Sequence, residues 1–343
     1  MLAAALAGAA SVASGAPNAA SGSTAGPRLA KPRRLREGDL VGLVAPGGVL
    51  PDGGIEKRVA NLESLGFKVR LGDHIRAAYG SYAGRAQQRA ADLHTMFRDR
   101  DVRAIWAARG GSGCLQVLPH LDYSLARRHP KIVIGYSDIT ALHLALYRRA
   151  GLVTFHGPTA GSTFSDFSVS SLRSVLMEPR SETTLRLSEE SLRKAPTQPQ
   201  FTPRAFRHGI AEGRLVGGNL SVVCAMLGTP YMPAAGGNLV FLEDIGEAPY
   251  RIDRMLTQLA LAGITSTASG VMMGVFQRCE PADGEPSLSL AETLATQMES
   301  LHVPSVYGFS FGHIPHIWTL PVGVRARLDT TARTVTLLES AVA

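Results

Sequence analysis

The chain has 343 residues, of which 45% are apolar and 18% charged, a composition that fits a globular protein with room for two modest domains and excludes a disordered or fibrous chain. Its 35 basic and 28 acidic residues leave a formal charge of +7, but part of that excess lies in residues 28–36, read as a solvated linker, and no basic stripe with interleaved aromatics argues for nucleic acid. Cys114, Cys224 and Cys279 are odd in number and far apart, so neither a disulfide framework nor a metal site is expected, and no cofactor motif replaces them.

The opening "MLAAALAGAASVASGAP" is a small apolar run, and "NAASGSTAGP" after it is low-complexity. Residues 1–36 are therefore expected to stand outside the fold, as a tail or as the apolar part and cleavage region of an export signal lacking its charged start. Nothing later approaches the roughly 18 apolar residues that span a bilayer.

From Asp39 onward, short apolar runs alternate with amphipathic ones. Residues 39–48 read as a strand ending in a Pro-Gly-Gly turn. Residues 54–67 carry Ile55, Val59, Leu62 and Leu65 at helical spacing, with Gly66 as the stop. A strand over 68–72, a helix over 87–99 and a strand over 102–107 running into the loop "ARGGSG" (108–113) follow. "KIVIG" (131–135) is a strand, the polar trio Tyr136-Ser137-Asp138 is a turn, and 139–146 is a helix. Strand–helix alternation of this kind predicts a parallel sheet with ligands bound beyond its carboxyl ends.

Between 161 and 210 the chain is polar and proline-bearing, without a clear period, and reads as a linker. A second segment, 211–343, contains expected strands over 238–244, 270–276, 305–313, 324–329 and 334–339, the last two as a hairpin. A helix over 250–263 has Ile252, Met255, Leu256 and Leu259 on one face. The fold expected is α/β with two domains: a Rossmann- or flavodoxin-like parallel sheet over 37–160 with helices on both faces, and a strand-rich α/β domain over 211–343.

Ser137 sits between a strand and a helix, where serine serves either as a nucleophile in a tight turn or as a helix cap. "GYSDI" lacks the second glycine of the hydrolase elbow, so its pattern leaves both uses open. A nucleophilic serine needs a base and a group to orient it. Among the ten histidines, His313 follows an apolar strand directly after Gly312, and His156 in "TFHGP" is its rival. Glu243 and Asp244 end the apolar strand "NLVFLED", with Glu243 on the Phe241 face; Glu247 and Asp253 suit capping and surface pairing. The glycine loop could turn N–H groups toward an anion or merely make a turn, and it is neither a Walker loop nor a dinucleotide fingerprint.

Taken together, "GLVAPGG" (42–48), "ARGGSG", "KIVIGYSDITALHLAL" (131–146), "TFHGP" (154–158), "GRLVGGNLSVV" (213–223), "FLEDIGEAPYRIDRMLTQL" (241–259) and "GFSFGH" with "LPVG" (308–323) resemble the LD-carboxypeptidase family of serine peptidases. These segments fall in family order over residues 39–330. The resemblance implies Ser137 as nucleophile, His313 as general base and Glu243 as its orienting residue, in a cleft between the domains. It also implies an oxyanion hole from the backbone N–H groups of Gly111 and Asp138, with Arg109 as a contact for substrate carboxylates, and no metal or cofactor.

The implied reaction is hydrolysis of the L,D bond between the diamino acid and the terminal D-alanine of a peptidoglycan stem tetrapeptide, in cytoplasmic cell-wall recycling and by a homodimer. An export signal would instead place the protein in the periplasm. Two alternatives share the scaffold: an immunity-type peptidase that cleaves peptide-nucleotide antibiotics, and a muropeptide-binding protein with a silent triad. The family's glycine loop commonly has an aromatic where Ser112 stands, which bears on specificity.

Overall fold

A computed structural model describes residues 29–282, 284 and 286–343; residues 1–28 of the tail or export signal expected over 1–36 lie outside them. In chain order the elements are β1 (Leu40–Val44), α1 (Gly54–Ser64), β2 (Lys68–Leu71), α2 (Ala86–Arg98), β3 (Val102–Ala107), α3 (Cys114–Val117), α4 (Tyr123–Arg128), β4 (Ile132–Gly135), α5 (Thr140–Ala150) and β5 (Thr154–His156). Then come α6 (Asp166–Leu176), β6 (Thr183–Leu185), α7 (Glu189–Lys194), β7 (Arg204–Arg207), β8 (Ile210–Asn219), α8 (Leu220–Met226), β9 (Asn238–Glu243) and α9 (Pro249–Leu261). The chain closes with β10 (Gly270–Val275), α10 (Leu290–Glu299), β11 (Ser305–Gly312), β12 (Leu320–Val322), β13 (Arg325–Asp329) and β14 (Thr334–Leu337).

Two sheets result. The first has the order β12-β5-β4-β3-β1-β2, and the second β6-β14-β13-β8-β9-β10-β11-β7. Strands β1 to β5 are mutually parallel. Strands β3, β4 and β5 are almost wholly buried, which requires cover on both faces and explains their unbroken apolar runs. In the second sheet β8, β9, β10 and β11 are parallel, with antiparallel strands added at both ends. The chain is thus a two-sheet α/β protein.

The first sheet is not purely parallel. Strand β12 comes from the second segment, runs antiparallel to β5 and pairs Leu320 with His156. Immediately afterwards Gly323 N donates to Leu215 O at 2.8 Å, and the chain enters β13 of the second sheet. The two halves are also tied where α5 meets β8, since Thr140 Oγ1 accepts from Asn219 N at 3.0 Å. A Cβ at Gly218 would lie 2.4 Å from Thr140 Oγ1, so only glycine permits this approach. One continuous apolar core runs through both sheets.

Residues 29–36 belong to the fold, contrary to the expectation of a solvated linker. Ala30 N donates to Gly151 O, Ala30 O accepts from Val153 N, and Arg34 N meets the C-terminal Ala343 O. Leu35 is buried. The basic side chains decorate a strap whose backbone and apolar residues are used inside. The stretch expected as a linker, 161–210, likewise holds α6, β6, α7 and β7. In α6, Ser165 caps by accepting from Ser168 N, while Leu172, Val175 and Leu176 are buried. Its mixture of serines and short apolar runs hides the helical period that packing reveals.

Candidate active site

Strand β4 ends at Gly135, where a Cβ would lie 2.9 Å from both Ala107 Cβ and Ile139 Cγ1. The chain then passes through Tyr136 to Ser137, whose φ is 64°. Left-handed backbone at a non-glycine residue is costly and marks a turn held by its surroundings. Ser137 opens a single 3-10 turn that runs into α5. No side-chain cap bond forms there, so Ser137 is not the helix cap.

Two glycine-rich pieces, residues 46–48 and 110–113, pack around this turn. Gly48 N donates to Gly110 O at 2.9 Å. A Cβ at Gly111, which has φ 96°, would lie 2.9 Å from Gly48 Cα; one at Gly110 would lie 2.8 Å from Ser137 Cβ. Arg89, buried on α2, ties the pieces together by donating to Pro46 O at 2.7 Å, Gly113 O at 2.8 Å and Gln116 Oε1 at 2.9 Å. Burial pulls its guanidinium below the usual value, and the nearby Asp138 charge partly offsets that pull. The Asp138 side chain accepts from Cys114 N at 2.8 Å through Oδ2. The glycine loop brings the amide that starts α3 under Asp138, so its carboxylate anchors the loop rather than α5.

The acidic end of β9 separates its two carboxylates. Asp244 accepts from Asn219 Nδ2, Ser221 N, Ser221 Oγ and Ile245 N, which fixes the start of α8. Glu243, on the opposite face, is fully buried, and its Oε2 lies 2.7 Å from His313 Nδ1. Its Oε1 has no hydrogen-bond partner among the described residues. His313 directly follows Gly312, where φ is 114° and a Cβ would lie 2.8 Å from Val275 O and 3.2 Å from Glu243 Cβ. That glycine lets the imidazole come beside the carboxylate.

Burial alone would lower the pKa of His313, but the Glu243 charge and hydrogen bond outweigh it and hold the imidazole above its usual value. With Nδ1 engaged by Glu243, Nε2 is the nitrogen left to act in the cleft. Tyr136 packs edge-on against the His313 ring at 4.9 Å between centroids.

Ser137, His313, Gly110, Gly111 and Arg109 line one cleft of about 410 Å³, together with Arg58, Tyr136, Thr159, Gly161 and Ser162. The rival His156 does not reach it. It is 1% exposed, packed against Tyr136, Phe241 and Phe311, with both ring nitrogens unpartnered among the described residues. Burial first, then the neighbouring His143 and His313, push its pKa well down. Glu247 pairs with Arg251 at 3.6 Å and Asp253 accepts from Gln297, both away from the cleft. Ser112 is exposed at the loop's tip. Arg58, Arg89 and Tyr136 were not singled out by sequence; each acts through contacts made at long range, which no local pattern announces.

Residues 41–157 match the LD-carboxypeptidase N-terminal domain and residues 212–328 the LD-carboxypeptidase C-terminal domain. A probable murein peptide carboxypeptidase of Bacillus subtilis is 39% identical over 308 residues, covering 90% of this chain and 94% of its own. The crystal structure of muramoyltetrapeptide carboxypeptidase from Oxalobacter formigenes superposes with a TM-score of 0.74 at 30% identity, over 87% of this chain and 97% of that one. The microcin C7 self-immunity protein of Escherichia coli is 27% identical over 337 residues, covering 91% and 96% of the two chains.

Proposed function

The chain belongs to the LD-carboxypeptidase family, and from that premise we propose that it is a serine carboxypeptidase acting on the L,D bond that joins the diamino acid to the terminal D-alanine of murein tetrapeptides. The observation that carries this reading is His313, paired with the buried Glu243, sharing a cleft with a serine in left-handed backbone.

Ser137 Oγ attacks the scissile carbonyl carbon while His313 Nε2 takes its proton. Buried Glu243 holds the Nδ1–H tautomer and stabilises the imidazolium that forms. The negative charge that develops on the carbonyl oxygen is met by the backbone N–H groups of Gly111 and Asp138, each such donor contributing about 3–4 kcal/mol to lowering the barrier. The tetrahedral intermediate collapses with loss of D-alanine, whose amine takes the proton from His313. Water, deprotonated by the same imidazole, then releases the acyl group from Ser137. Arg109 contacts a free carboxylate of the substrate. Cytoplasmic recycling by a homodimer completes the reading; fractionation of native cells and sedimentation of the purified chain test those two points.

The decisive assay follows D-alanine release from a muropeptide tetrapeptide by the wild type and by Ser137→Ala. Loss of release in a folded variant is expected, and full retention would overturn the assignment. A peptide-nucleotide substrate run alongside measures the other chemistry; faster turnover there than on the tetrapeptide would replace the murein substrate.

A further inference from the structure

Two guanidinium groups stand in the cleft beside Ser137 and His313. Both are tethered by backbone carbonyls. Arg58, on α1, donates through Nε to Ala108 O at 2.7 Å and through Nη1 to Gly54 O at 2.5 Å. Arg109 donates through Nη1 to Val49 O at 3.0 Å. Among the described residues no carboxylate lies within ion-pair distance of either. Two like charges held close, partly desolvated and without a counterion, make a site prepared for an anion. Gly161 keeps the face of Arg58 open: a Cβ there would lie 2.8 Å from its Nη2.

We infer that Arg58 and Arg109 together bind the terminal carboxylate of the substrate and thereby restrict cleavage to the last residue of the peptide. The inference rests on the carboxypeptidase reading above and assigns the group that reading leaves open. Position selects this carboxylate. Arg109 adjoins Gly110, which packs directly on Ser137, so the anion site is close to the nucleophile. One residue spans about 3.3–3.6 Å, and the carboxylate that lies one residue beyond the scissile carbonyl is that of the departing D-alanine. A carbonyl-tethered Arg58 cannot swing away, so a peptide continuing past this point, or ending in an amide, meets two cations without an anion to offer.

The test compares a tetrapeptide acid with its C-terminal carboxamide. Wild type is expected to favour the acid by about 100-fold in kcat/KM, the size expected for truncating one partner of a desolvated charge pair. In Arg58→Gln the acid rate falls by about that factor while the amide rate is unchanged, so the ratio collapses; Arg109→Gln moves the same way, and Arg58→Lys restores part of the preference. A purely structural role slows both substrates equally and leaves the ratio intact, which would overturn the inference.

Binding separates this outcome from failure of the catalytic reading. Calorimetry with Ser137→Ala should show the acid binding at least about tenfold tighter than the amide, and the double variant Ser137→Ala/Arg58→Gln should lose that difference. Equal binding of acid and amide to Ser137→Ala overturns the clamp even if wild type releases D-alanine. Absence of release by wild type, with acid-selective binding intact, overturns the reaction and leaves the clamp standing.

Discussion

His313 Nδ1 and Glu243 Oε2 lie 2.7 Å apart, with the carboxylate fully buried and the imidazole mostly so. A carboxylate without solvent interacts strongly with whatever cation it touches, which is why His313 is held above its usual pKa although burial opposes the shift. Only the neutral imidazole accepts a proton from Ser137, so kcat/KM should fall as pH drops through that raised value. Glu243→Gln removes the charge and leaves the burial. Its acid limb should therefore move to lower pH while its maximal kcat/KM falls about 10²–10⁴-fold. A pH–rate profile of both proteins checks this; an unmoved limb would show that Glu243 does not set the pKa of the base.

Ser137 holds its left-handed φ of 64° against intrinsic preference. Such a conformation costs a non-glycine residue about 1–3 kcal/mol, of which glycine regains most while giving back some unfolded-state entropy. Ser137→Gly should thus be inactive yet more stable than wild type by about 1 kcal/mol. Ser137→Ala, which keeps its Cβ, should be close to neutral. Urea unfolding of the three proteins measures this, and a glycine variant less stable than the alanine variant would remove the case for strain.

Strand ends were the legible part of this site. Ser137, Glu243 and His313 each terminate an apolar run long enough to be read as a strand, and residues at such ends face whatever lies beyond the sheet. Arg58 and Arg89 sit inside ordinary amphipathic helices, where nothing local distinguishes a guanidinium that reaches a loop carbonyl from one in solvent. The same limit applies to β6 and β12, of three residues each, because so short a strand is defined by its partner and not by its own alternation. Strand β12 is the instructive case: "LPV" carries a proline, which suits the edge position it occupies, yet its neighbour is a strand more than 160 residues earlier in the chain.

Gly110 packs on Ser137 so closely that a side chain has nowhere to go. A Cβ would lie 2.8 Å from Ser137 Cβ, 3.0 Å from Ser137 Oγ and 3.1 Å from Tyr136 O. Gly110→Ala should cost about 1–3 kcal/mol in overpacking and lower kcat/KM by about 10²-fold through displacement of the serine. Gly38→Ala provides the contrast: with φ 82° and nothing among the described residues within 4 Å of the added Cβ, it should lose stability by backbone strain alone and keep its rate. Steady-state kinetics with thermal unfolding of both variants checks the separation; an active Gly110→Ala would mean that Ser137 tolerates displacement.

His143 and His156 are buried neutral groups behind the turn that holds Ser137. His143 Nε2 lies 2.8 Å from Gly135 O while its Nδ1 has no partner among the described residues. Burial pushes His143 down to about 4, the Gly135 bond opposing it, and pushes His156 well below its usual value. Both are neutral when folded and take up a proton in the unfolded chain below about pH 6.5, so acidification favours unfolding. His313 has the opposite sign, but its raised pKa places its contribution above that window: full below about pH 6.5 and lost as pH rises. Two histidines should therefore remove about 3–4 kcal/mol of stability between pH 7 and pH 5. His143→Gln, whose amide can still donate to Gly135 O, should lose about half as much over the same interval. Urea unfolding at the two pH values measures both, and an equal loss in wild type and variant would mean that His143 is protonated in the folded protein.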